Sequence, residues 1–409
     1  MFQKGAAPTT VRTTSLLGRP PLLRRTNAQL LLNLLRELGP CSKADLVRAS
    51  GLSAPTVTNV VAHLTAARLV EPVGEGDSTG GRPPDIIRFR AESGCVAGME
   101  IGPGVLGFLL ADLDGRELGR SKLTLPRSSS TPSAVCTLMA EEVRRLVLKH
   151  VPAGARLLAA SVGIPAIVNG NDGTVLSYTA LRNWQNVPLK MLLTRQLRCP
   201  LIVENDTNLA AQGEHYRGAA QATKDFVFIT IGDGVGAGIF IGGKLYHGAC
   251  WSAGEIGYLH VPAISRRNPT IDEYGRLEKV LGAPGIMRSW RLVQKKARPR
   301  LKIQCAWDVL DFADAGNSYA KRILRLRANI LADIVLNISL ILNPSVILLG
   351  GEVGRHPALI RELKLQLEGT EFAIVSLRPG ALGSSAVLWG AVSTALDVAI
   401  ERCVTMSAA

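Results

Sequence analysis

Short apolar runs that stop abruptly at glycine, proline or carboxylate confine the larger part of this 409-residue chain to an alternating α/β fold. Residues 96–112 run into Asp114-Gly115, 157–164 into Pro165, and 201–203 into Glu204-Asn205-Asp206. Residues 226–231 run into Gly232-Asp233-Gly234-Val235-Gly236-Ala237-Gly238, and 346–349 into Gly350-Gly351. Each run has the length of a buried strand, and helical stretches separate them. In such folds ligand groups collect at strand ends, where these glycines and acids lie.

The length exceeds that of one ordinary domain. With 47% hydrophobic, 20% charged and 5% aromatic residues, the composition is that of a globular chain. The seven cysteines are scattered with no close ligand pair, which fits reduced thiols in the cytoplasm. No apolar signal core follows Met1-Phe2-Gln3-Lys4-Gly5, and the leucine-rich stretch 330–342 carries Asp333 and Asn337, so it reads as a buried helix ended by Pro344. No membrane partner is expected.

The net charge of +14 suits a polyanion, although a basic surface kept for solubility has the same composition. Residues 1–90 hold twelve basic and six acidic side chains, a denser excess than in the remainder. Thr26 and Gln29 have capping-box spacing before Leu30, Leu31, Leu34, Leu35 and Leu38, which predicts a first helix stopped by Gly39-Pro40. Ser42 caps a second, short helix ending near Ser50-Gly51, and a third begins after Ser53 with Val57, Val60, Val61 and Leu64 inward. Two short helices joined by a glycine turn form a helix-turn-helix, or alternatively part of an ordinary bundle. Residues 71–90, with Gly80-Gly81-Arg82-Pro83-Pro84 at the tip, then read as a two-stranded wing. There the Arg82 guanidinium can enter a narrow A·T-rich minor groove. Arg25, Ser53, Thr56, Thr58, Asn59 and Arg82 are the candidate contacts to an operator in double-stranded DNA.

Over nearly its whole length the chain resembles the ROK family of repressors, open reading frames and sugar kinases. The resemblance rests on the helix-turn-helix with its Gly-Gly-Arg-Pro wing, Glu204-Asn205-Asp206-Thr207-Asn208, the glycine loop 232–238, Gly243-Lys244-Leu245, Ala253-Gly254-Glu255-Ile256-Gly257, and Asn343-Pro344 before Gly350-Gly351. It implies a winged helix-turn-helix over 1–90 followed, over 91–409, by a two-lobed α/β domain of the actin-like ATPase (ribonuclease H-like) fold.

The resemblance places a kinase base at Asp206, a residue that also suits the cap of a helix starting at Thr207. Family kinases have Asp-x-Gly-Gly-Thr in the first phosphate loop, where this chain has Glu100-Ile101-Gly102-Pro103-Gly104-Val105. Pro103 has no amide hydrogen to offer a phosphate. In the second loop Asp233 replaces a threonine. Two like charges about 4 Å apart repel by roughly 4 kcal/mol at an effective dielectric near 20. ATP is therefore not expected to bind, no cofactor is expected, and Asp206 is a vestigial base.

The family's zinc, held by a histidine and three cysteines, is not expected either. Tyr258 replaces the histidine, and residues 265–278 contain no cysteine. Asn205, Asp206, Glu255, Tyr258 and Glu278 remain as expected contacts to a sugar effector, unless they persist only as hydrogen-bond partners of the fold. Ala180, near Asn183-Trp184, stands where the family often has asparagine. The basic run Arg291, Lys295, Lys296, Arg298, Arg300 and Lys302 suits DNA or a solvated helix face. The expected protein is a homodimeric or homotetrameric regulator of carbohydrate metabolism, a repressor without kinase activity. The alternative is an ATP-dependent sugar kinase that also binds DNA.

Overall fold

The computed structural model describes residues 20–75, 83–125, 130–178, 183–261, 275–294, 303–369 and 376–406, with the side chains of 20–25 and 406 excepted. The chain divides into two compact units, Met1–Ser93 with Ile400–Ala409, and Gly94–Ala399. Arg82 and the wing tip, Ala180, residues 265–274 and the basic residues 295–302 lie outside the described residues, as does the Arg25 side chain.

The first unit contains α1 (Pro20–Leu38), β1 (Cys41–Ser42), α2 (Lys43–Ser50), α3 (Ala54–Ala66), β2 (Val70–Glu75) and β3 (Asp85–Phe89). Helix α1 starts six residues before Thr26, so Thr26 lies inside it and caps nothing. Proline is tolerated in a first turn, and leucine and arginine carry the helix from Pro20 onward. Ser42 and Asp45 form the capping box of α2, and Gly51 at φ 68° ends it. Val57, Val60, Val61 and Leu64 form the buried face of α3. The wing strands β2 and β3 pair antiparallel, with a bulge between Pro72 and Gly74. The sheet is three-stranded rather than two-stranded, because Cys41 and Ser42 pair with Ile87 and Ile86.

In the second unit the first lobe comprises β4 (Gly94–Gly102), β5 (Val105–Asp112), β6 (Glu117–Thr124), α4 (Pro132–His150), β7 (Arg156–Ile164), β8 (Ile167–Asn169), β9 (Thr174–Ser177), β10 (Gln185–Val187), α5 (Leu189–Leu197) and β11 (Leu201–Asn205). After α6 (Asp206–Arg217), the second lobe contains β12 (Phe226–Ile231), β13 (Val235–Ile241), β14 (Lys244–Leu245), α7 (Glu278–Leu281), α8 (Ala283–Val293), α9 (Ala306–Asp314), α10 (Ser318–Leu342), β15 (Val346–Gly350), α11 (Gly351–Gly354), α12 (Pro357–Leu367), β16 (Ser376–Pro379) and, up to Ala399, α13 (Ala386–Met406), whose remainder belongs to the first unit. The lobes carry sheets of order β11-β7-β4-β5-β6 and β14-β13-β12-β15-β16, and a small β10-β9-β8 sheet flanks the first. The apolar run 96–112 is thus two antiparallel strands, because Pro103 and Gly104 turn the chain in its middle. The leucine-rich stretch 330–342 is the second half of α10, which is ended by Asn343 in the left-handed conformation.

Helices α6 and α13 cross almost backbone to backbone. A Cβ on Gly390 would stand 1.7 Å from the Leu209 carbonyl oxygen, and one on Gly213 would stand 2.2 Å from that of Ala386. Neither carbonyl belongs to a flexible side chain that could swing away, so only glycine fits. Gly390→Ala is expected to destabilise the protein by about 2 kcal/mol or more, since overpacking a close-packed contact typically costs that much. Scanning calorimetry would show a Tm several degrees lower, and an unchanged Tm would contradict this crossing.

Candidate functional site

The leading edge of α3 emerges from local capping. Ser53 keeps an extended backbone (φ −66°, ψ 148°) and its hydroxyl accepts from the Thr56 amide, with a proline in the first turn. The Ser53 and Thr56 hydroxyls also bond each other at 2.8 Å, so both are partly engaged within the helix start. Ser53, Thr58 and Asn59 are exposed and Thr56 half-buried. In the same unit Arg88 on β3 pairs with Glu71 and Glu92, and Arg90 lies 2.8 Å from Glu71. Those two arginines are neutralised by the protein itself.

In the second unit a cavity of about 640 Å³ opens at the strand ends. It is lined by Asn205, Asp206, Glu255, Tyr258 and Glu278, all five of the effector residues expected from sequence. Strand β11 and helix α6 deliver the first two. Asn205, rather than Asp206, is the N-cap of α6, because it keeps the extended backbone and its Oδ1 accepts from the amides of Thr207 (2.9 Å) and Asn208 (3.1 Å). Its Nδ2 donates to the Ala166 carbonyl at 3.2 Å, which leaves one amide hydrogen for a ligand. Asp206 accepts from the Thr207 amide at 2.7 Å. Glu278 accepts from the amides of Val235 (3.2 Å) and Gly275 (2.7 Å).

Glu100, at the end of β4, joins these acids and was not among the expected effector contacts. Burial pushes its carboxyl up to about 7, with Asp206 adding and Lys122 opposing. Burial likewise pushes Asp206 up to about 6, against the bonds from Thr207. Glu255 rises to about 7 by burial and then by the charges of Glu278 and Asp206, and Glu278 is raised by burial. Four mutually repelling carboxylates suit a neutral, hydroxyl-rich ligand, whose O–H groups donate to them, and disfavour a phosphorylated one.

Two loops correspond to those that the resemblance gives to a nucleotide's phosphates. Pro103 and Gly104 form the exposed β4–β5 turn. In the β12–β13 turn the Gly232 amide donates to the Gly234 carbonyl at 3.0 Å, the Val235 amide goes to Glu278, and Asp233 stands exposed at the tip. The donor set does not fit a triphosphate. Tyr258, a phenol where an imidazole would be required, likewise does not fit zinc, and among the described residues no group of His, Cys, Asp and Glu has metal-site geometry.

Residues 96–398 match the ROK family. The chain belongs to the ROK family. Residues 23–82 match the MarR family, which accounts for the winged helix at the front. The ROK chain is 24% identical over 384 residues to the xylose repressor of Bacillus spizizenii, covering 92% of this chain and 96% of that one. It is 30% identical over 276 residues to the glucokinase of Halalkalibacterium halodurans, covering 63% of this chain and 83% of the enzyme. The crystal structure of a ROK family transcriptional regulator, a homologue of the Escherichia coli MLC protein, superposes with a TM-score of 0.78 at 22% identity, covering 94% and 98% of the two chains. Winged helix plus actin-like ROK domain is thus the fold, as expected from the sequence.

Trp251 was also missed. It lines the cavity with φ 61°, a left-handed conformation that costs a bulky residue on the order of 1–3 kcal/mol and persists only where the surroundings enforce it. Its signal in the sequence was a large aromatic beside Ala253-Gly254-Glu255, between His247-Gly248 and that motif.

The raised carboxyls of the ROK cavity have a measurable consequence. Between about pH 4.5 and 7, Glu255 holds its proton in the folded protein and has lost it in the unfolded chain, so stability falls as pH rises through that window. Glu255→Gln removes the penalty. Its Tm should exceed the wild type's at pH 8, and the gap should close towards pH 4.5. A gap that is absent at pH 8, or widest at pH 4.5, would show that Glu255 is not held protonated by burial.

Proposed function

We propose that the protein is a transcriptional regulator of carbohydrate metabolism, acting as a repressor whose ROK domain binds a neutral sugar and transfers no phosphate. The observation that carries this reading is the β12–β13 turn. The Val235 amide there is taken by Glu278 and the tip carries Asp233, in a chain that also presents a capped recognition helix. Asp206, Glu255, Glu278, Asn205 and Tyr258 hold the hydroxyls of the sugar. Ser53, Thr56, Thr58 and Asn59 approach base edges and phosphates, with Arg25 and Arg82 reaching the backbone and minor groove. A homodimer or homotetramer in the cytoplasm sets paired recognition helices on a two-fold operator, and the sugar favours a state in which their spacing no longer fits.

The sugar kinase reading keeps one observation in its favour, the carboxyl of Asp206 pushed to about 6, close to the range of a general base. The two readings separate in an ADP-release assay over hexoses and N-acetylhexosamines. The regulator shows no turnover, whereas turnover lost in Asp206→Asn would establish the kinase.

Selection of bound fragments from the source genome should recover a two-fold site beside sugar-utilisation genes. Affinity for that site should fall steeply with salt, as released counterions require, and should fall again when the cognate sugar is added. Arg82→Ala should weaken A·T-flanked sites by about 1–3 kcal/mol in a mobility-shift titration. Unaltered affinity in that variant would remove the wing from the mechanism.

A further inference from the structure

One wall of the cavity has no role in the hydroxyl contacts above. Trp251 is held there from three sides. Its backbone is locked in a left-handed turn, closed by the Ala253 amide donating to the His247 carbonyl at 3.2 Å. Its six-membered ring lies on the bare Cα of Gly170, where a Cβ would come within 2.4 Å of the ring. The imidazole of His247 meets it edge-on at 5.4 Å between centroids. His247 is in turn fixed by Glu204 at 2.7 Å, and the other oxygen of Glu204 accepts from the Asn205 amide and from Asn208. The indole is therefore positioned through the same helix start that carries Asp206. It is half-buried, with part of its surface left to the cavity, whereas Trp184, Trp290 and Trp389 are buried, and the half-buried Trp307 packs on His356 and does not line the cavity.

We propose that Trp251 is the specificity-determining stacking platform of the cavity, taking the C–H face of a pyranose ring whose hydroxyls are held by the carboxylates. The proposal rests on the sugar-binding reading given above. An indole face carries negative quadrupole density and attracts the weakly positive C–H groups that a pyranose with equatorial hydroxyls presents on its flat side. Carboxylates alone bind hydroxyls with little regard to ring shape. A rigid aromatic plane adds the shape requirement, since an axial hydroxyl on the stacked face would set an oxygen against the ring and separate the two surfaces.

The test uses the full chain with D-xylose, D-glucose and N-acetyl-D-glucosamine as probes, titrated by calorimetry. The tightest-binding probe is carried forward to Trp251→Phe, Trp251→Leu and Asp206→Asn. Phenylalanine keeps an aromatic face and should bind within about threefold of wild type. Leucine fills space without a π face and should weaken binding about tenfold or more, at a Tm close to that of the phenylalanine variant. Asp206→Asn should lose binding through the hydroxyl contacts. Wild-type tryptophan emission should shift on addition of the probe, and the shift should vanish in Trp251→Phe. Binding by Trp251→Leu at wild-type strength, or equal weakening in the leucine and phenylalanine variants, overturns the platform while leaving the sugar site intact. No binding of any probe to wild type overturns the sugar site and the platform together.

Discussion

Glu214 is a fully buried carboxylate satisfied by backbone amides: Ala219, Ala381 and Leu382 donate to it at 2.8, 3.0 and 2.9 Å. It sits on α6, the helix whose start carries Asp206, and it grips the segment that leads into the 383–385 turn and α13. Both ends of that clamp reach the cavity, through Asp206 and through Gly383 to Leu388. The glycine crossing at Gly213 and Gly390 lets the two helices lie close enough for the clamp to close. A buried carboxylate stripped of its amides, or amides stripped of their carboxylate, would each carry a full desolvation cost. The position of Asp206 and of residues 383–388 at the cavity therefore depends on one backbone-to-backbone contact and on the buried Glu214.

The same economy shapes the β12–β13 turn. In the β12–β13 turn the amide of Val235 bonds Glu278, and Glu278 also takes the Gly275 amide. A carboxylate satisfied in this way holds the turn and the start of α7 together while keeping lone pairs towards the cavity. An anion placed at the turn would have to displace that carboxylate and meet Asp233. A neutral polyol displaces nothing. The match to the xylose repressor of Bacillus spizizenii covers 92% of the chain, whereas that to the glucokinase covers 63% of it. The unsuitability of the loops for a triphosphate is a property of these residues, independent of that division.

Much of the architecture was legible because it is written in short-range chemistry. Strands ending in glycine or acid, Ser42 and Ser53 as caps, and the valine stripe of α3 all follow from spacing alone. The failures are local competitions or long-range meetings. Asn205 and Asp206 are both good caps, and only the backbone conformation decides that Asn205 takes the role. Thr26 lost to the helix propensity of the residues before it, and β1 is too short for any periodicity to reveal. Glu100 and Trp251 are 151 positions apart and line one cavity because β4 and the loop after β14 converge there. No pattern in one sequence contains that convergence. The strain at Trp251 is a property of its φ angle and has no signature in residue identity.

A monosaccharide sets a limit on what such a regulator can do. A ligand shifts an equilibrium only by the ratio of its affinities for the two states, and moving one from 1:99 to 99:1 takes a ratio of about 10⁴. A small neutral ligand in a cavity whose acids partly repel one another has little affinity to spare for so large a ratio at a single site. In the oligomer proposed above, two cavities acting on one operator multiply their ratios, so about a hundredfold at each suffices. Rigid walls help further, because contacts that need no reordering on binding differ more sharply between two shapes of the cavity. In this chain the rigidity comes from the capped start of α6, Glu278 held by two backbone amides, and the strained turn at Trp251. The strained turn costs stability in the empty protein, and so do the raised carboxyls of Glu100, Asp206 and Glu255, whose share is readable as a function of pH.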